Sequence, residues 1–152
     1  MAKSEKQKLK LLYIIQCLME KTDEEHAVTT QEIIDYLALQ GITAERKSIY
    51  TDIDLLIDFG MDIIKKPGRS GGYTLASRQF ELAELKLLVD AVQSSKFITT
   101  KKSRELIGKL ETLCSKYEAT QLHRQVVVTN RNKSMKTFTT MWISFTMQLP
   151  KM

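Results

Sequence analysis

Apolar residues recur three and four positions apart along the first stretch of the chain, at Leu9, Leu12, Tyr13, Ile15 and Met19. That is the period of a half-buried helix, and it predicts a first helix from Ser4 to about Glu20, with Ser4 as N-cap and Glu5 in its positive first turn. After the polar loop Lys21–Val28, the string Thr29-Thr30-Gln31-Glu32 carries a capping-box signature. A second helix follows with Ile33, Ile34 and Leu37 on its buried face, and Gln40-Gly41 ends it. Thr43 is read as the cap of a third helix from about Ala44 to Phe59, stopped by Gly60. Two helices joined by a short glycine-containing turn predict a helix-turn-helix.

On a helical wheel Ile49, Ile53 and Leu56 share the inner face of the third helix, while Ala44, Lys47, Ser48, Tyr50, Thr51 and Asp54 share the outer one. An outward face of short polar side chains near a helix N-terminus suits the major groove of DNA. By itself it is equally a solvated surface. The following segment shifts the balance. Met61–Lys66 is rich in β-branched residues, Pro67-Gly68-Arg69-Ser70-Gly71-Gly72 is turn-forming, and Tyr73-Thr74-Leu75 reads as a second short strand. A hairpin over 61–75 directly after a candidate recognition helix is a wing, and Lys65, Lys66, Arg69 and Ser70 near its tip can reach phosphates. No Lys-Ser/Thr follows the glycines, which argues against a nucleotide-phosphate loop.

Beyond the hairpin, Leu82, Leu85, Val89 and Val92 form a stripe with Leu88 alongside, predicting a helix over 80–97. Thr99 or Thr100 caps another, in which Leu106, Leu110, Leu113 and Tyr117 recur at helical spacing. These faces need cover: they fold back on the first helix, or they pair with a second chain as a two-fold dimer, the reading favoured here because a dimer also sets half-site spacing. The expected fold is therefore mostly α with a small β-hairpin, a winged helix-turn-helix at 1–78 followed by a helical linker or dimerisation segment at 79–120. Residues 121–152 are read as the truncated start of a further domain plus an atypical tail.

Charge adds less than the motif. The net charge of +5 favours an anionic partner. Yet residues 1–80 hold 11 Lys/Arg against 12 Asp/Glu, whereas residues 96–136 hold 10 Lys/Arg against three Glu. That basic bias is a solvated helix face, a second phosphate-contacting surface, or, as the resemblance described below implies, the start of a basic sensor domain. The two cysteines, Cys17 and Cys114, and the two histidines, His26 and His123, lack metal-ligand or disulfide spacing and are read as structural or incidental. No apolar run reaches the ~20 residues of a membrane-spanning helix, and no signal-peptide cleavage site follows Leu9–Met19, so a cytoplasmic protein is expected. No catalytic motif is present, and Asp52, Asp54 and Asp58 do not converge on the wheel; neither an enzyme nor a cofactor is expected.

The string Thr43-Ala44-Glu45-Arg46-Lys47-Ser48-Ile49-Tyr50-Thr51-Asp52-Ile53-Asp54-Leu55-Leu56, with Gly60, the Gly-Gly-Tyr of the wing and Phe80–Val89, resembles the N-terminal domain of WYL-domain transcriptional regulators, whose helix-turn-helix is DeoR-like. The resemblance spans about residues 4–135. It implies a bacterial, usually dimeric regulator that binds operator DNA and senses a ligand through a C-terminal WYL domain. Carried over by position, Arg46, Lys47, Ser48 and Tyr50 would lie on or beside the DNA, Asp52 would hold local structure, and Thr51 stands where many relatives carry Arg. The WYL domain should begin near 122–136, but no Trp-Tyr-Leu motif appears, so the effector is unknown. The final stretch, with Phe138, Trp142, Ile143 and Phe145, departs from the family pattern and is read as an unrelated tail, as a frameshift or aberrant stop would leave.

The leading expectation is thus a sequence-specific DNA-binding regulator acting as a homodimer on double-stranded DNA. The alternatives are a winged helix that binds protein or RNA, and a truncated partner of a full-length regulator.

Overall fold

The computed structural model describes residues 2–68 and 71–132, with the backbone alone for 2–5 and 125–132. In chain order it contains α1 (Ala2–Lys21), α2 (Thr30–Leu39), α3 (Arg46–Asp58), β1 (Ile63–Lys65), β2 (Tyr73–Leu75), α4 (Leu82–Ser94), α5 (Thr100–Glu111) and α6 (Lys116–Asn132). This is the expected class: a helix-turn-helix, a hairpin, then helices. No helix among the described residues is long and apolar enough to cross a membrane.

The α2 start is the capping box its sequence promises. The Thr29 hydroxyl accepts from the Glu32 amide at 3.2 Å, and the Glu32 carboxylate accepts from the Thr29 amide at 2.7 Å. At the other end Gly41 adopts φ 74°, a left-handed conformation that lets the Gly41 and Ile42 amides reach the carbonyls of Ala38 and Leu37. The chain thereby turns within a few residues, and Ile42 drops into the core. Helix α3 starts later than expected. Glu45 is its N-cap, so Thr43 and Ala44 belong to the turn.

The strands pair antiparallel, Ile63 opposite Leu75 and Lys65 opposite Tyr73, and Val28 bridges Tyr73 from the other side. That bridge explains a wing glycine. A Cβ at Gly72 would stand 2.3 Å from the Val28 carbonyl oxygen, so the close approach of backbones requires glycine.

One core unites α1, α2, α3 and the hairpin around Ile14, Leu18, Ile33, Leu37, Ile49 and Ile53. The phase of α1 corrects the sequence reading: Leu9, Leu12 and Met19 are exposed, and the buried stripe is Lys10, Ile14, Cys17 and Leu18. The segment is apolar on nearly every side, so periodicity alone leaves the phase open, and a lysine is a poor candidate for the inside.

Helices α4, α5 and α6 build a second core from Leu85, Val89, Ile107, Cys114 and Leu122, flanked by Leu82, Val92, Leu110 and Leu113. The faces assigned to dimerisation therefore cover one another within one chain. Leu85 and Val89 are wholly buried there, Leu106 is half-buried, and Leu88 remains partly exposed beside the open Leu87. Ile107 rather than Leu106 supplies the inward side chain of α5. Tyr117 sits on α6, because the chain breaks after Glu111 and restarts through a further capping box: the Glu118 amide donates to the Ser115 hydroxyl at 3.1 Å, and the Ser115 amide donates to the Glu118 carboxylate at 3.0 Å. Helix α6 runs through residue 121, where the sequence reading placed a boundary, and Leu122 belongs to the second core.

The two units meet through polar contacts at the α1–α2 loop. The Ser115 hydroxyl donates to buried Asp23 at 2.6 Å, and the His26 ring stacks on Tyr117 with centroids 3.8 Å apart. Arg78 donates to the Thr22 and Met19 carbonyls. Burial alone would raise the Asp23 carboxyl, but hydrogen bonds from Ser115 and His26 outweigh it and hold the group below its ordinary value. Burial pushes the Cys17 and Cys114 thiols up to about 11, so both stay protonated and packed as small apolar groups.

Candidate nucleic-acid interface

The outer face of α3 is set by what its inner face must bury. Ile49, Ile53 and Leu56 enter the core, which leaves Lys47, Tyr50, Thr51 and Asp54 exposed on the other side. Arg46, at the first turn, donates to the side-chain oxygen of Gln31 in α2 at 3.3 Å. The first turns of the two helices therefore present one polar surface, and Gln31 is a member that the sequence reading did not include. Thr51 returns its hydroxyl to the Lys47 carbonyl at 3.2 Å, a local bond that a base or phosphate can exchange for its own.

The wing is tied to this surface by a cation. Lys65 Nζ lies 2.5 Å from Asp54 Oδ1, which raises the ammonium above its usual value. Both side chains are more than half exposed, so the pair bridges β1 and α3 on the solvent side and contributes little to stability. Lys66 donates to the Glu24 carbonyl at 3.0 Å and braces the wing against the α1–α2 loop. Arg69 and Ser70, expected at the wing tip, lie outside the described residues, as does the whole stretch 133–152 with its expected tail.

Ser48 occupies a different place from Lys47. It is half-buried and bonded to the ammonium of Lys10, which also pairs with Asp52 at 2.6 Å. Thr43 is exposed in the turn, where its carbonyl accepts from the Gln7 amide nitrogen at 3.3 Å. The residues named on α3 thus divide into an outer set, Arg46, Lys47, Tyr50 and Thr51, which Lys65 joins through Asp54, and an inner pair, Ser48 and Asp52, turned toward α1, while Lys66 faces the α1–α2 loop. The signal for the inner pair was a lysine interrupting an apolar run, with a serine and an aspartate one helical turn apart.

Elsewhere the chemistry is unfavourable to phosphate. An open cleft of about 760 Å³ between the two units is lined by Asp23, Glu24, Glu25, Asp62, Glu81 and Glu118 against only His26, Arg78 and Lys86 as potential cations. Among the described residues no three His, Cys, Asp or Glu side chains group as metal ligands would.

No curated protein and no solved structure matches the chain. A family model does, from within α1 to the hairpin turn, leaving α4, α5 and α6 outside it; the match names neither WYL-domain nor DeoR-like regulators. Residues 12–68 match the model described as FokI, D3 domain, a winged-helix-type DNA-binding domain, and the architecture of the segment is of that type.

Proposed function

We propose that the chain is a non-enzymatic, sequence-specific binder of double-stranded DNA that acts in transcription regulation. In this reading α3 enters the major groove and the β1–β2 wing lies on the backbone. The observation that carries it is the exposed polar face of α3, Arg46, Lys47, Tyr50 and Thr51, joined to the wing by the Lys65–Asp54 pair, within a segment that matches a DNA-binding family model. Lysine and arginine would supply salt-dependent affinity, and the α3 side chains base readout. If the protein works as a homodimer, its contact uses Leu87 and Leu88 on the open side of α4, because Leu85 and Val89 are already covered.

The test is a salt titration of binding to random duplex DNA and to the DNA upstream of the gene. Expected is tighter binding to one duplex than the other, with log K falling against log salt by about 0.9 per phosphate contacted. Arg46→Ala with Lys47→Ala should flatten that slope by about one to two. Equal, weak, salt-insensitive binding to both duplexes would overturn the reading.

A second reading has its own observation. Leu55 and Phe59, one turn apart at the distal end of α3, are 51% and 83% exposed. A protein partner would cover them, and Phe59→Ser would then abolish its binding while leaving DNA affinity unchanged.

A further inference from the structure

Lys10 is the one lysine that is buried among the described residues. Its position in the inward stripe of α1, one turn before Ile14, is one where an apolar side chain would complete the core without removing an ammonium from water. Instead that ammonium bonds Ser48 and pairs with Asp52, two side chains one turn apart on α3. Three residues earlier on α1, Gln7 holds the Thr43 carbonyl in the turn that launches α3. The N-terminal half of α1 therefore grips the recognition helix by directional bonds at defined points, in addition to the apolar core that holds Ile14, Ile49 and Ile53.

Roll matters at this helix. Side-chain tips lie ~6 Å from a helix axis, so a roll of about 15° displaces them by about 1.5 Å. That is enough to break a base-edge hydrogen bond. Lys47 and Thr51 directly precede Ser48 and Asp52, and Tyr50 lies midway between those two. We infer that Lys10 is a positioning residue for DNA readout: by holding Ser48 and Asp52 it fixes the roll of α3, and so decides which base edges Lys47, Tyr50 and Thr51 meet. This rests on the DNA-binding reading and adds to it a determinant that never touches DNA.

The experiment is in vitro selection from a random duplex pool with the full chain, followed by affinities for the selected duplex and for random duplex. Three variants accompany the wild type: Lys10→Met with Asp52→Leu, Asp52→Asn, and Lys10→Arg. A buried ion pair exchanged for apolar side chains commonly keeps the fold. The Met/Leu variant is therefore expected to retain the melting temperature, random-duplex affinity and salt slope, while its preference for the selected site falls tenfold or more. Lys10→Arg, which keeps a cation over Ser48 and Asp52, should retain the preference. A purely structural role would lower both affinities together with the melting temperature. An unchanged preference in the Met/Leu variant overturns the inference alone. If that variant does not melt cooperatively, Asp52→Asn decides: lost preference at wild-type random-duplex affinity supports the inference, and retained preference overturns it. A wild type that selects no site and binds duplex without salt dependence overturns the DNA-binding reading and this inference with it.

Discussion

The two halves of the molecule are built by different means. The helix-turn-helix and its wing enclose fourteen buried apolar residues, whereas α4, α5 and α6 enclose five, counted among the described residues. The first unit is locked by local devices at nearly every junction: the Thr29–Glu32 box, the left-handed Gly41, the Gly72 close approach and the Val28–Tyr73 bridge. The second relies on helix caps and a small shared core. A large interlocked core holds side chains in fixed relation, as the proposed readout surface needs. A small core opens at lower free energy.

Core truncation should break this contrast most visibly. Ile53→Ala, in the larger core at the back of α3, is expected to cost about 2–5 kcal/mol and to abolish duplex binding with the fold, measured by denaturant unfolding. Leu85→Ala removes a side chain of similar size from the smaller core, again at about 2–5 kcal/mol. Here hydrogen exchange should show α4, α5 and α6 losing protection while α2 and α3 keep theirs. Uniform loss across both units would mean that they unfold as one.

The junction gives a finer test. Ser115→Ala removes the hydroxyl that donates to buried Asp23 and caps α6, and should cost about 1–3 kcal/mol by leaving a buried carboxylate short of a donor. The loss should appear in the α6 amides and in the ring-current shifts of His26 and Tyr117 before it appears in α3. Thr29→Ala, which removes one cap inside the larger unit, should cost about 1 kcal/mol and lower the melting temperature without separating the units.

Acid gives the smallest and most local effect. The Asp23 carboxyl is held below its ordinary value in the folded chain, so its contribution is complete above the unfolded value of 3.8 and is lost as the pH falls through the lower folded one. The His26–Tyr117 stack should loosen in that window, followed by NMR, and Asp23→Asn should remove this step. A stack insensitive to acid would show that the aromatic contact, not the carboxylate, holds the units together.

Local sequence determined a great deal. The capping box at Thr29, the glycine turn at Gly41, the three inward side chains of α3 and the hairpin with its two lysines follow from short-range steric and hydrogen-bonding preferences, which need no distant partner. The Ser115-Lys116-Tyr117-Glu118 box was equally legible, yet a continuous apolar spacing across Leu110, Leu113 and Tyr117 concealed the break between α5 and α6. What tertiary structure alone decided was the pairing of surfaces. Whether the α4 and α5 stripes would meet each other or a second chain depends on where α6 returns, a contact between residues far apart in sequence. The phase of α1 was undecided for the same reason: a buried lysine is stable only where Asp52 and Ser48 stand to receive it, and those partners are supplied some forty residues later by the packing of α3.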